Sequence, residues 1–450
     1  MGVAGAGMSG LALVATRRGV PVTGCDKDAE SGGAAATADL RRMGGVVLAG
    51  HDPSHVEGAR AVVVSSAVPS DHPELVRARA LGLPVVRRAE ALAAAIAPGL
   101  VVAVAGTHGK TTTTVMATEA LAAAGRNPTG IAGGRVSGWG GNARIGGDDV
   151  FVVEADEYDK SFLALTPQVA VVNNVEADHL ECYGSMAALE QAFARFAGPA
   201  RRLIAGGDDA GAVKVARMAG RPTWLVGAGP DADVRLEVRT RAAHESSARV
   251  HLPTGQSLDL RLGVPGMHNL RNAAAALAVC AEMDAALEPA LGALAAFRGV
   301  GRRFEVVGTG GGVVVVDDYA HHEAEIAATL EGARQAYPGQ RLVAAFQPHL
   351  FSRTRDHGAA MGRALAAADL VVVTDVYPAR EEPISGVTGQ LVADAAVREG
   401  ARVEWVPRRA DLAARLAEVA RPGDVVLTMG AGDITQVGPD LLGLLQHRVG

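Results

Sequence analysis

The three cysteines among 450 residues, Cys25, Cys182 and Cys280, are odd in number and far apart. That excludes a disulfide framework, and no paired spacing points to a structural zinc site. Such usage fits a reducing compartment, the cytoplasm. Lysine is scarcer than its charge class suggests: only Lys27, Lys110, Lys160 and Lys214 stand among 43 basic residues. Each therefore carries more weight. With a net charge of −6 there is no basic excess to follow a phosphate backbone, which argues against nucleic acid as a partner. Long apolar runs are missing too. The most apolar stretch, residues 91–105, is broken by Pro98-Gly99, short of the roughly 18 uninterrupted residues a membrane span requires. The first residues lack the basic region of a secretory signal, and Arg17-Arg18 lies on the wrong side of the apolar run. We find no internal repeat.

What is present is an ordinary globular composition, 48% hydrophobic and 20% charged. The length allows about three domains at roughly 150 residues each. Short β-branched runs at 61–64, 101–104, 169–172, 313–316 and 370–373 read as buried parallel strands, alternating with Ala/Leu/Arg segments of helical length. The pattern predicts an α/β chain with parallel sheets throughout. Breaks at residues 97–99 and 298–301 divide it into domains 1–98, 99–298 and 299–450. The alanine-rich stretch 273–276 keeps its apolar periodicity and reads as packed helix.

Gly5-Ala6-Gly7-Met8-Ser9-Gly10 matches the glycine pattern that brings backbone close to a pyrophosphate and opens a helix toward it. A following strand over 20–24 leads to Asp26, near the distance at which a carboxylate meets a ribose hydroxyl. A UDP-sugar and a nicotinamide cofactor fit this motif equally. The run 101–105 leads into Gly106-Thr107-His108-Gly109-Lys110-Thr111-Thr112 and a helix, the context of a phosphate loop, although Val104 stands where its first glycine belongs. Lys110 would neutralise phosphate charge there and Thr111 would reach Mg²⁺. Two further strands deliver Glu154, with Asp156, Glu157 and Asp159 behind it, and residues 173–180, which include His179. Glu154 is the harder candidate metal ligand and His179 the softer. His268-Asn269 and Asn272 precede the alanine-rich helix, where an asparagine suits a helix cap. Arg302-Arg303 open the third domain, and strand ends there carry Asp317 to His322 and Gln347 to Arg353, polar groups suited to an anionic or amino-acid substrate.

Taken together, residues 5–10, 106–112, 154–159, 176–180, 268–269, 317–322 and 346–353 strongly resemble the Mur ligase family over essentially the whole chain. The resemblance implies a Rossmann-like domain for a UDP-sugar, a central ATPase domain and a Rossmann-like third domain. Gln347-Pro348-His349, Ser352-Arg353-Thr354 and residues 429–433 look like the member that adds L-alanine to UDP-N-acetylmuramate. The implied chemistry is phosphorylation of the lactoyl carboxylate by ATP, then attack of the alanine amine on the acyl phosphate. Implied catalytic residues are Lys110, Glu154, His179, His322 and His349. For ATP the resemblance adds His268, Asn269 and Arg303 to the loop Gly106, Thr107, His108, Gly109, Lys110, Thr111 and Thr112. For the UDP-sugar it implies Gly5, Ala6, Gly7, Met8, Ser9, Asp26 and Ser66, and for the amino acid Tyr319, His349 and Arg353. Two Mg²⁺ ions, or Mn²⁺, would sit on Thr111, Glu154 and His179, in a cytoplasmic monomer or homodimer. Ala4 stands where the family's first turn usually has a glycine, and Glu323-Ala324 follow His322 where a proline and threonine are usual, which leaves substrate contacts there open.

A recycling ligase that attaches a ready-made tripeptide to the same sugar is the nearest alternative, and Gln347-Pro348-His349 weighs against it. The absence of lysine from 161 to 213 argues against members that use a carbamylated lysine. A nicotinamide oxidoreductase would leave the phosphate loop without a purpose, and a catalytically silent nucleotide-binding protein is the third class. Because Met1 lies so close to the glycine turn, a strand feeding that turn is nearly absent, and we expect the natural start codon to lie upstream.

Overall fold

The computed structural model describes all residues except 31–33, 66–67, 243–244, 380 and 448–450. It divides into two compact units, one of Met1–Thr240, Ser247–Gly263 and His268–Val300, the other of Arg241–Ser246, Val264–Met267 and Gly301–Gly450.

The first unit holds a ten-stranded sheet centred on Leu100–Ala105, whose neighbours are Val150–Glu154 on one side and Val169–Val172 on the other. All three run parallel, and their valine and alanine side chains are buried on both faces, as a central strand under helices requires. Their carboxyl ends therefore lie side by side. The expectation of parallel sheets throughout needs correcting at the edges. Thr129–Val136 pairs antiparallel with Gly141–Arg144, and in the second unit Glu305–Gly310 pairs antiparallel with Val313–Asp318. In the latter case Gly311 and Gly312 both have positive φ (56° and 76°), which closes a tight hairpin that buried hydrophobicity alone does not disclose.

Ahead of the large sheet lie two separate two-stranded parallel sheets, Thr23–Asp26 with Val46–Ala49 and Val62–Val64 with Val85–Arg87. Residues 1–3 run between them without forming a strand. The Met1 ammonium donates to Val63 O at 2.9 Å, while Gly2 N and Val3 N both donate to Cys25 O. The helix Ala6–Arg17 packs its buried face, Met8, Leu11 and Val14, into the same core as Phe151 and Ile131 of the large sheet. The second unit is a six-stranded sheet with Val313–Asp318, Val425–Met429 and Leu342–Phe346 adjacent and parallel at its centre.

Candidate active site

The phosphate loop follows Leu100–Ala105 and ends at Gly109, the left-handed residue (φ 77°) before the helix Lys110–Ala123. Only glycine fits at 109: a Cβ would stand 2.8 Å from Asn272 Oδ1 and 3.1 Å from Asn173 Nδ2. The loop is laced to the adjacent strand end. His108 N donates to Asn174 Oδ1 at 2.7 Å, and His108 O accepts from Asn173 Nδ2 at 3.2 Å and Asn174 Nδ2 at 3.3 Å. Thr107 N donates to Asn174 O, and Glu176 N donates to Thr107 Oγ1. The His108 ring lies 3.4 Å from Glu176 Oε2.

Lys110 is largely enclosed, and its Nζ donates to Gly106 O at 2.7 Å, to Thr107 O at 3.2 Å and to both oxygens of Glu157 at 2.9 Å each. Burial opposes the ammonium, but Glu157, Asp156 and Glu154 outweigh it and hold the group above its ordinary range. Burial pushes the Glu157 carboxyl up to about 7 against the pull of Lys110. Glu154 is likewise raised by burial, while Lys110, Gly133 N and the Thr111 hydroxyl favour its charged form. Three carboxylates thus surround one ammonium, an excess of negative charge and hard oxygen suited to a magnesium ion.

Glu157 owes its place to the irregular turn Tyr158–Ala164, in which Asp159 and Lys160 both adopt positive φ. Phe162 anchors that turn, stacked on Phe196 at 5.1 Å and edge-on to Phe193 at 5.1 Å. Truncating such an aromatic to alanine costs about 3–5 kcal/mol. His179 stands at positive φ with its ring edge-on to Tyr158, 5.0 Å between centroids, and Nε2 3.7 Å from Asp178 Oδ2.

A cavity of about 230 Å³ joins the glycine turn to this carboxylate cluster. Gly2, Gly5, Gly7 and Met8 form one wall, and Gly133, Glu154 and Asp156 another. Arg88 enters from the first turn of the helix Arg88–Ile96, its guanidinium so close that a Cβ on Gly7 would overlap it. Two expected UDP-sugar residues lie elsewhere. Ser9 is buried, and its hydroxyl donates to Asn142 Oδ1 at 2.8 Å. Asp26 sits behind the turn, accepting from Ala4 N and Asp28 N at 2.9 Å each. Ser66 lies outside the described residues, whereas Ser65 lines the cavity.

His268, Asn269 and Asn272 fall inside the helix Met267–Glu282, so the capping expectation is corrected: an N-cap residue must precede the first turn. Asn272 instead reaches Gly109, which brings the start of this helix to the phosphate loop.

In the second unit two guanidinium groups approach the Tyr319 ring, Arg302 at 4.9 Å and Arg303 at 5.1 Å from its centroid. Phe304 N and Ala320 N each donate to Asp318 at 2.7 Å, and burial raises that carboxyl to about 6 despite the nearby Arg303. The His349 ring stacks on Tyr377, 5.8 Å between centroids, and lies 5.9 Å from His321. His322 is buried at the start of the helix Glu323–Ala336, with its ring 5.1 Å from that of His357. Arg353 is buried on the helix Phe351–Leu365. Gln347 braces the site from below, donating to Asp433 Oδ1 and accepting from Ile434 N.

Sequence reasoning assigned no role to Arg88, Asn173, Asn174 or Glu157. The asparagine pair had a usable signal, since it follows a strand adjacent to the loop strand. Arg88 had none, because its relation to Gly7 arises only from folding.

Three family models match in succession: the Mur ligase family catalytic domain over residues 1–98, the Mur ligase middle domain over 104–280, and the Mur ligase glutamate ligase domain over 302–432. Among curated relatives, the UDP-N-acetylmuramate–L-alanine ligase of Cutibacterium acnes is 46% identical, covering 99% of this chain and 95% of its own. That of Kineococcus radiotolerans is 47% identical over 100% and 96%. The crystal structure of UDP-N-acetylmuramate-alanine ligase from Thermotoga maritima superposes with a TM-score of 0.83 at 30% identity, covering 99% of this chain and 98% of that one. A three-domain α/β chain with a laced phosphate loop, matched along its length by these models and relatives, belongs to the Mur ligase family.

Proposed function

We propose that this chain joins L-alanine to the lactoyl carboxylate of UDP-N-acetylmuramate with consumption of ATP, an amide-forming step of peptidoglycan precursor synthesis. The observation that carries the reading is the single cavity shared by the glycine turn, Arg88, Glu154 and Asp156. A UDP-sugar whose pyrophosphate meets the turn and Arg88 can extend its carboxylate toward the groups around Lys110. Because positioning and electrostatics dominate phosphoryl transfer, Lys110 is assigned to the transferring phosphoryl group. To do so it exchanges Glu157 for phosphate oxygens.

Thr111 and Glu154 are assigned to one Mg²⁺, and His179 to a second. Bound there, these ions, or Mn²⁺ in their place, would disperse negative charge on the transferring group. His268, Asn269 and Arg303 are assigned to ATP, and Tyr319, His322, His349 and Arg353 to the acyl phosphate and the incoming amino acid. The reaction balances as transfer of the γ-phosphoryl group to the carboxylate, attack by the neutral amine, and loss of phosphate with one proton from nitrogen. The proposed domains are 1–98, 99–298 and 299–450, working in the cytoplasm as a monomer or homodimer.

Phosphate release from ATP in the presence of UDP-N-acetylmuramate tests this. Release is expected with L-alanine and should be much weaker with the murein tripeptide. Release that requires the tripeptide would replace the reading with that of the recycling ligase.

A further inference from the structure

Among the described residues, a second constellation lies in the first 98 residues, outside the cavity. Glu74 is fully buried, at 0% exposure, and four side chains converge on its carboxylate. Cys25 Sγ donates to Oε2 at 3.3 Å, His51 Nδ1 lies 3.2 Å from the same oxygen, and His55 Nδ1 lies 2.9 Å from Oε1. His72 Nδ1 accepts from Glu74 N at 3.3 Å, and its ring packs edge-on against His51 with centroids 4.9 Å apart.

The ligand atoms of Cys25, His51 and Glu74 all lie within 4.8 Å of one another. Tetrahedral zinc with bonds of about 2.0–2.3 Å has ligand-to-ligand edges of about 3.3–3.8 Å, so the two measured separations at Glu74 Oε2 already approach that size. We propose that Cys25, His51 and Glu74 form a Zn²⁺ site, with His55 holding the second carboxylate oxygen and solvent completing the tetrahedron.

A thiolate, an imidazole and a carboxylate favour zinc over the hard Mg²⁺ of the ATP site. The three ligands are rigidly presented. Cys25 lies in the strand Thr23–Asp26, His51 follows the strand Val46–Ala49, and Glu74 stands in the first turn of Pro73–Ala80, started by Pro73 and capped by His72. Their wide separation in sequence explains why no spacing motif announces the site. His55, at 2.9 Å from Oε1, fixes the orientation of the ligating carboxylate. His51 retains 28% exposure of its side chain, which leaves an entry path.

Binding as a thiolate, Cys25 would release its proton to solvent. The site would clamp the sheet Thr23–Asp26/Val46–Ala49 to the helix that follows Val62–Val64, uniting two sheets that share no strand pairing. It would also stiffen the glycine turn, because Cys25 O accepts from Gly2 N and Val3 N.

Cobalt titration of the intact chain in excess Mg²⁺ tests the proposal, since only a cysteine ligand gives a thiolate-to-cobalt charge-transfer band. One equivalent of Co²⁺ should produce that band together with the visible bands of tetrahedral cobalt, and Zn²⁺ should displace both. Cys25→Ser should abolish the charge-transfer band, Cys182→Ser should retain it, and His51→Asn, on the open side, should weaken Co²⁺ binding at least tenfold. In parallel, Zn²⁺ should raise the melting temperature of the wild type and not of His51→Asn. Absence of the band in the wild type, or its survival in Cys25→Ser, would show a proton network only and overturn the assignment.

Discussion

Replacing Lys110 by methionine removes the ammonium from among Glu157, Asp156 and Glu154 while keeping most of the side-chain volume. Its effect on stability should depend on pH in a direction the structure fixes. In the wild type the Glu157 carboxyl is raised to about 7 from an ordinary 4.5. The folded chain therefore holds a proton that the unfolded chain releases, and this contribution is complete below the unfolded value and lost as pH rises through about 7. Without Lys110 the attraction opposing burial disappears, so the folded value must rise further. The variant therefore continues to lose stability above about pH 7, where the wild type has levelled off. One pH unit corresponds to about 1.4 kcal/mol, so the gap should widen by about that much for each unit by which the folded value moves up. For a domain of this size each such unit is about 3–6 °C in melting temperature. Thermal melts of both proteins in metal-free and nucleotide-free buffer across that range are the assay. A gap that stays constant with pH would refute the pairing of Lys110 with Glu157. Turnover of Lys110→Met should fall at least about 100-fold, the scale of losing one transition-state charge partner, with UDP-sugar binding retained.

Gly109→Ala forces a side chain into left-handed backbone, at about 1–2 kcal/mol, and against Asn272. The Kd for ATP, measured by calorimetry, should rise at least about tenfold, given that 1.4 kcal/mol is a factor of ten. Glu154→Gln and His179→Ala should each raise the Mg²⁺ concentration for half-maximal activity, Glu154 more strongly as the harder ligand; unchanged Mg²⁺ titrations for both would remove them from the metal site. Arg88→Ala should raise the KM for the UDP-sugar by about tenfold or more, in keeping with loss of a charge-assisted bond of about 1.5–3 kcal/mol, and leave the KM for ATP nearly unchanged. Equal shifts in both constants would place Arg88 outside the cavity's chemistry.

The strand–loop–helix around Lys110 was legible because Leu100–Ala105 is a run of small apolar residues buried on both faces, followed at once by glycines that tolerate the turn. The same holds for Val150–Glu154, whose apolar run ends in a single carboxylate. The antiparallel edges were not legible, since a hairpin strand and a parallel edge strand share the same apolar alternation. Glu157 was visible only as one acid among several. Its selection as the partner of Lys110 depends on two successive left-handed residues and on Phe162 packing, both consequences of tertiary structure. The bond of the Ser9 hydroxyl to Asn142 was not legible, because the glycine motif says where the helix starts and not which of its faces meets the large sheet.

The lacing of His108 between the amides of Asn173 and Asn174 has a consequence for binding entropy. Ordering one backbone residue costs about 1–2 kcal/mol, so a slack loop of seven residues would take roughly 7–14 kcal/mol from the affinity of any nucleotide that had to arrange it. Neutral amides already hold the loop's centre and the left-handed Gly109 fixes its end, which spares the nucleotide most of that loss. Asn174→Ala should therefore weaken nucleotide binding chiefly through a less favourable entropy, although Asn174 carries no charge to offer a phosphate.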